Sequence, residues 1–246
     1  MKKYLPLIPL VAGLLVVVGV FVFMKGRKPE TDSDTEEEAL LEVLLEERPV
    51  VSLTPTEDGH YLKLIVEKIN IQGATSVDYE LLYKTKEGIT QGVPGTIKLE
   101  GQDKFEEDLL LGSESSGKFR YDDGVEEGSM TLRFRNSGGK LVAKFETDFH
   151  LQNDTDLVTS PDQIFKYQLS QKSDHYFITM LTVGYPGKSE TEVKNGPYGI
   201  FSSSEEKSPG IAELGSDKVY YFDGQEWISL EALKTPDVGL FFGSSK

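Results

Sequence analysis

The chain has 246 residues, no cysteine and a formal net charge of −15. Without cysteine there are no disulfides, thiolate nucleophiles or thiolate metal sites, so any domain is held by packing alone. Acids dominate and no basic stripe follows the N-terminus, which excludes nucleic acid as a partner because phosphate backbones are repelled.

Residues 1–28 read as an N-terminal anchor with basic flanks. Tyr4–Met24 runs for 21 residues without a charge, and about twenty helical residues cross a hydrocarbon core. Pro6 and Pro9 fall in the first turns, where a missing N–H costs least. The run is longer than a secretory apolar region, and Phe23-Met24-Lys25-Gly26 offers no small-residue cleavage pair, so an uncleaved helix in the lipid bilayer is expected. Lys2 and Lys3 precede it; Lys25, Arg27 and Lys28 follow it, a count that slightly favours a cytoplasmic C-terminus. The cargo argues the other way: a β-rich tail lacking a nucleotide or enzyme signature is the kind of domain displayed outside. The expectation is therefore a single-pass membrane protein with its N-terminus inside and its C-terminal domains outside.

Residues 29–47 hold nine acids and no base. The first ten read as a solvated linker. Thr35 and Glu38 then fit a capping box, and Leu40, Leu41, Leu44 and Leu45 recur at helical spacing, which predicts a short juxtamembrane helix ending at Arg48-Pro49.

From 48 to 152 the period becomes two. Val77, Tyr79, Leu81 and Tyr83 alternate with polar positions; Met130, Leu132 and Phe134 do the same, and the pattern resumes across Asn136-Ser137-Gly138-Gly139 as Leu141, Ala143 and Phe145. Shorter strands fit 50–54, 96–99, 106–111 and 117–121. Seven or eight strands in this span predict an immunoglobulin-like or fibronectin type III-like β-sandwich. A second sandwich is expected over 153–246, after the polar joint Gln152–Asp156, with strands near 164–169, 176–183, 198–202, 211–214, 219–222, 227–230 and 238–242. The fold class is thus all-β behind one transmembrane α-helix, with tandem sandwiches.

Arg48-Pro-Val-Val-Ser-Leu-Thr-Pro55, Tyr79-Glu-Leu-Leu-Tyr83, Gly92-Val-Pro-Gly-Thr96, Leu109-Leu-Leu-Gly112, Gly128-Ser-Met-Thr-Leu-Arg-Phe-Arg135 and Thr147-Asp-Phe-His-Leu-Gln152 carry a resemblance. The chain resembles a family of uncharacterised single-pass, membrane-anchored β-sandwich proteins of small-genome bacterial lineages. The likeness covers about 48–152 and extends loosely to Gly196-Pro-Tyr-Gly-Ile-Phe201. It implies tethered sandwiches and a cysteine pair where this chain has Glu114 and Phe119. It implies no activity.

No residue set points to catalysis. His60, His150 and His175 lack the close spacing of metal ligands, and no Gly-x-Ser-x-Gly elbow occurs. Asp122, Asp123, Glu126 and Glu127 form an acidic loop that could serve a glycosidase, yet small sandwiches seldom supply the cleft. Asn153, Asp154 and Asp156 are hard-oxygen candidates for calcium at the joint, against the plainer reading of a solvated loop. The second region offers a binding surface. With Asp223-Gly224 as a two-residue turn, Phe222 faces Gln225 and Tyr220 faces Trp227, an aromatic pair that would stack on cell-wall glycan or another envelope protein; the plainer reading buries Trp227 in the core. The expected function is non-enzymatic: binding, adhesion or scaffolding at the cell envelope, without a cofactor. The rivals are an envelope enzyme acting on glycans or peptides and a cytoplasm-facing membrane assembly factor.

Overall fold

The computed structural model describes residue 40 and residues 42–245. The expected anchor, Tyr4–Met24, and the acidic linker lie outside the described residues, among which no helix is long and apolar enough to cross a membrane. The juxtamembrane helix expected to end at Arg48-Pro49 lies partly outside the described residues. Residues 42–44 are not helical, and a single 3₁₀ turn spans Leu45–Glu47, leaving Leu44 60% exposed. Arg48 is extended, as a residue before proline should be.

Alternation dominates the rest. The first region gives β1 (Val50–Pro55), β2 (Tyr61–Glu67), β3 (Ser76–Lys84), β4 (Thr90–Lys98), β5 (Phe105–Leu110), β6 (Gly112–Ser115), β7 (Lys118–Tyr121), β8 (Glu127–Arg135) and β9 (Leu141–Gln152). The second gives β10 (Thr155–Thr159), β11 (Lys166–Ser173), β12 (Phe177–Leu181), β13 (Asn195–Ser202), β14 (Gly210–Glu213), β15 (Lys218–Phe222), β16 (Trp227–Ser229), β17 (Lys234–Thr235) and β18 (Leu240–Ser244). The fold is all-β, built from several antiparallel sheets in a sandwich-like arrangement.

The sheets do not divide at residue 152. One nine-stranded sheet, ordered β16-β15-β18-β13-β12-β9-β8-β3-β4, runs through both regions because β12 pairs with β9, Phe177 opposite Gln152 and Met180 opposite Phe149. Two smaller sheets cover it: β1-β2-β5 and β10-β11-β14-β17.

Side-chain parity places those covers on opposite faces. Along β12, Ile178 and Met180 join the core beneath β1-β2-β5, whereas Phe177 joins the core beneath the other cover. Along β9, Phe149 and Leu151 belong to the first core. Their neighbours turn to β10: His150 Nδ1 lies 3.0 Å from the Thr159 carbonyl oxygen, and the Thr159 amide donates to Gln152 Oε1 at 2.8 Å. Successive strand residues point to opposite faces, so the chain changes face at the β9–β10 turn. The stretch expected to be a free polar joint is that turn plus β10. Only Val158 and Thr159 of β10 are buried, which is why it reads as loop.

β1 stitches the regions again. The Val51 amide donates to the Thr182 carbonyl at 2.9 Å and the Gly184 amide to the Pro49 carbonyl at 2.9 Å. Gly184 has no substitute there, since a Cβ would stand 2.3 Å from the Arg48 carbonyl oxygen.

Candidate aromatic binding surfaces

The β15–β16 hairpin differs from its sequence reading. Phe222 pairs with Trp227 and Tyr220 with Ser229, so the loop holds four residues rather than two. Asp223 sets this register: its Oδ1 accepts the amides of Gln225 and Glu226, both at 2.8 Å, closing the loop with its own side chain. Those two backbone bonds hold the Asp223 carboxyl below the usual carboxylate range.

Tyr220, Phe222 and Trp227 do lie together, on the face opposite the second core. Trp227 packs on Phe242 at 4.6 Å and Phe222 at 5.2 Å between ring centroids, and Tyr220 stacks on Phe242 at 4.8 Å. Their neighbours Val219 and Tyr221 face the second core. The three rings are half-buried because a strap, residues 182–194, lies over them. Trp227 Nε1 donates to the Pro186 carbonyl at 3.0 Å, Thr191 Oγ1 donates to the Tyr220 hydroxyl at 3.3 Å, and the buried Tyr185 ring meets Trp227 edge-on at 6.0 Å. Trp227 is thus neither a bare platform nor part of either main core.

A second aromatic group is open. β6 and β7 form a separate two-stranded hairpin around Ser116-Gly117, both at positive φ, a turn suited to the twist of the strands. Every residue of β7 is exposed. Phe119 and Tyr121 share one face, with Phe119 49% exposed. Lys118 and Arg120 share the other. His60 extends the row by stacking face to face on Tyr121 at 3.8 Å, and Phe119 lies parallel to Tyr121 at 6.2 Å. Asp58 fixes His60: its Oδ2 is 3.1 Å from His60 Nδ1, while Thr56 Oγ1 and the His60 amide donate to its Oδ1. The Thr56 hydroxyl and then that amide hold the Asp58 carboxyl low. Sequence reasoning placed a strand at 117–121 but assigned it no surface; the aromatic–basic alternation Lys118-Phe119-Arg120-Tyr121 was the available signal, and the His60 contact was not.

The remaining sequence candidates stay apart. Asp154 pairs with Lys172 at 2.8 Å, and Asn153 and Asp156 are exposed. Among the described residues no group of three or more histidine and carboxylate side chains is arranged to hold a metal ion. His175 stands 3.9 Å from carboxylate oxygens of both Asp174 and Glu206. In the acidic loop, Asp122 accepts the Tyr83 hydroxyl at 2.9 Å. Asp123, Glu126 and Glu127 share an open depression of about 620 Å³ with Lys84 and Lys86, so the carboxylates sit among cations.

Compared with protein-family models, with curated proteins and with solved structures, the chain matches none.

Proposed function

We propose that the protein is a membrane-anchored binding component of the cell envelope, displaying its sheets outside the cell and engaging another envelope protein through the β6–β7 hairpin. One observation carries this reading: Phe119, Arg120 and Tyr121 stand exposed on a hairpin that forms its own two-stranded sheet. Aromatic side chains and arginine dominate the energetic centres of protein interfaces. His60 already covers one face of Tyr121, which narrows the flat aromatic area a sugar ring would stack on and favours a protein partner. The order β1-β2-β5 over β4-β3-β8-β9 supports an immunoglobulin-like or fibronectin type III-like reading of the first region. Anchoring and orientation rest on the apolar run Tyr4–Met24 and its flanks.

The test pairs topology with binding. Protease added to intact cells should remove the β-rich portion; protection until the cells are permeabilised would reverse the orientation. A photo-crosslinker at position 113, on the same hairpin, should give a protein adduct on intact cells. Phe119→Ala/Tyr121→Ala should abolish that adduct while leaving the melting curve in place. An adduct that persists in the double variant would overturn the assignment of the hairpin.

A further inference from the structure

The end of the acidic segment 29–47, the stalk expected between membrane and sheets, and the strap over Trp227 are held by one amino group. Lys68 Nζ donates to the Glu46 carbonyl at 2.6 Å and to the Tyr185 carbonyl at 3.1 Å, and it lies 5.6 Å from the centroid of the Tyr185 ring. Glu46 belongs to the 3₁₀ turn Leu45–Glu47 that precedes β1; Tyr185 belongs to the strap over residues 182–194. The next carbonyl along the strap, that of Pro186, is taken by Trp227 Nε1. Two adjacent strap carbonyls are therefore pinned from two sides, one by Lys68, which also holds the Glu46 carbonyl, and one by the aromatic face beneath.

We infer that Lys68 couples the stalk to the strap, so that displacing the chain around Glu46 loosens the cover over Trp227, Phe222 and Phe242. The backbone at Lys68 is built for this role. Its φ of +58° lies in the left-handed region, which a lysine rarely adopts. The Ile69 amide, bonded to the Asp103 carbonyl at 2.8 Å, fixes the chain directly after it. An ammonium group bonded to carbonyl oxygens forms charge-assisted hydrogen bonds, stronger than those between neutral groups. When Glu46 moves away, the ammonium loses one of its two acceptors and recovers water in its place, and the strap loses the group that holds Tyr185 over Trp227. Coupling of this kind is reciprocal: whatever frees the strap also frees the stalk. A pull on the membrane side is then read at Trp227, a step that rests on the anchoring through Tyr4–Met24 proposed above. This coupling is separate from the β6–β7 hairpin and stands or falls independently of it.

The chain contains one tryptophan, so Trp227 reports on the strap without engineering. In full-length protein in detergent, Lys68→Met should shift Trp227 emission to the red and raise its quenching by acrylamide. Hydrogen exchange should speed up together at residues 45–48 and 184–187. Lys68→Arg, whose guanidinium keeps donors for both carbonyls, should restore the emission and the protection. The reverse arm uses Trp227→Phe, which keeps a ring and loses the bond to Pro186; exchange at the Arg48 amide should quicken. This arm decides the matter alone should Lys68→Met fail to fold. Unchanged Trp227 quenching in a folded Lys68→Met, or faster exchange at one segment only in either variant, would overturn the coupling.

Discussion

Glu114 and Phe119 face each other across the β6–β7 hairpin, one pair in from the Ser116-Gly117 turn. Ser115 and Lys118 close that turn, so the next pair is a non-hydrogen-bonded one, with Cα atoms expected about 4.5 Å apart. That separation falls in the range a disulfide spans.

Glu114→Cys/Phe119→Cys should therefore oxidise to an intramolecular disulfide without distorting the strands. The natural chain has no cysteine, so no competing thiol exists. Thiol titration and peptide mapping check this. The short loop closed limits the stabilisation to about 2 kcal/mol, shown chiefly as resistance to proteolysis at the turn. Disulfide-linked dimers as the main product would mean that the two residues do not face each other.

Replacing Trp227 separates core from cover. A fully buried tryptophan costs about 3–5 kcal/mol when cut to alanine. Trp227 is half-buried under the strap, so Trp227→Ala should cost nearer 2 kcal/mol, a fall of roughly 4–8 °C in the midpoint for a chain of this size. Trp227→Phe should cost about 1 kcal/mol, the bond to the Pro186 carbonyl. Thermal denaturation by circular dichroism measures both, and an unaltered Trp227→Ala midpoint would mean that the strap contributes nothing.

Three of the buried phenols carry the largest upward shifts and dominate the alkaline limit. Burial pushes Tyr167 up to about 12. It raises Tyr83 and Tyr198 well above their ordinary value too, helped by their hydrogen bonds to Asp122 and Asp162. A raised phenol favours the protonated, folded form. Its contribution is complete below the unfolded value near 10 and is lost as pH climbs through the folded values. Stability should fall above about pH 10, these three phenols contributing about 4 kcal/mol per pH unit once they ionise in the unfolded chain alone. Tyr198→Phe should flatten that slope. Urea midpoints against pH give the slope, and phenolate absorbance shows whether the three groups titrate only on unfolding.

Asp162 sets an acid limit with the opposite sign. Burial pushes its carboxyl up, but bonds from the Ser160 hydroxyl, the Tyr198 hydroxyl at 2.7 Å and the Ile164 amide at 3.0 Å outweigh it, and the net shift is downward. A depressed carboxyl contributes stability above its unfolded value, near 4, and loses it as pH falls through the folded one. Asp162→Asn should be less stable at neutral pH, while its stability should decline less steeply below about pH 4. Parallel acid curves for the two proteins would assign the acid sensitivity elsewhere.

What was legible in the sequence follows from one physical rule. A strand with one buried face writes its parity into the chain, so β3, β8 and β9 stand where Val77–Tyr83, Met130–Phe134 and Leu141–Phe149 alternate. β10 buries two of its five residues and leaves no such trace. Pairing partners leave none either: nothing in Phe177–Met180 names Phe149–Gln152 as its neighbour. The β15–β16 register failed for a local reason, the Asp223 carboxylate capping a longer loop than Asp-Gly advertises. The aromatic composition of the second region was visible, but the strap that covers it has no periodicity to announce it.

The sharpest consequence of the shared sheet concerns the division at residue 152. A fragment 153–246 would carry β12 without β9, leaving Phe177–Met180 an unpaired edge. Ile178 and Met180, both fully buried in the first core, would turn to water. Exposing two such side chains costs about 3–6 kcal/mol before any lost backbone bond is counted. The fragment 42–152 suffers the complementary loss, since the Val51 amide has no Thr182 carbonyl and the first core has lost two of its residues. Neither fragment should fold cooperatively alone, and the two mixed should regain β-type circular dichroism by pairing β9 with β12. The intact β-rich portion should melt in a single transition whose calorimetric and van't Hoff enthalpies agree. Limited proteolysis should leave the stretch 153–161 uncut until the whole unfolds, because β10 is paired with β11 and its Thr159 amide is held by Gln152. Two separate transitions, or early cleavage there into two stable pieces, would show that the regions fold as independent domains and that the β9–β12 pairing contributes little to holding them.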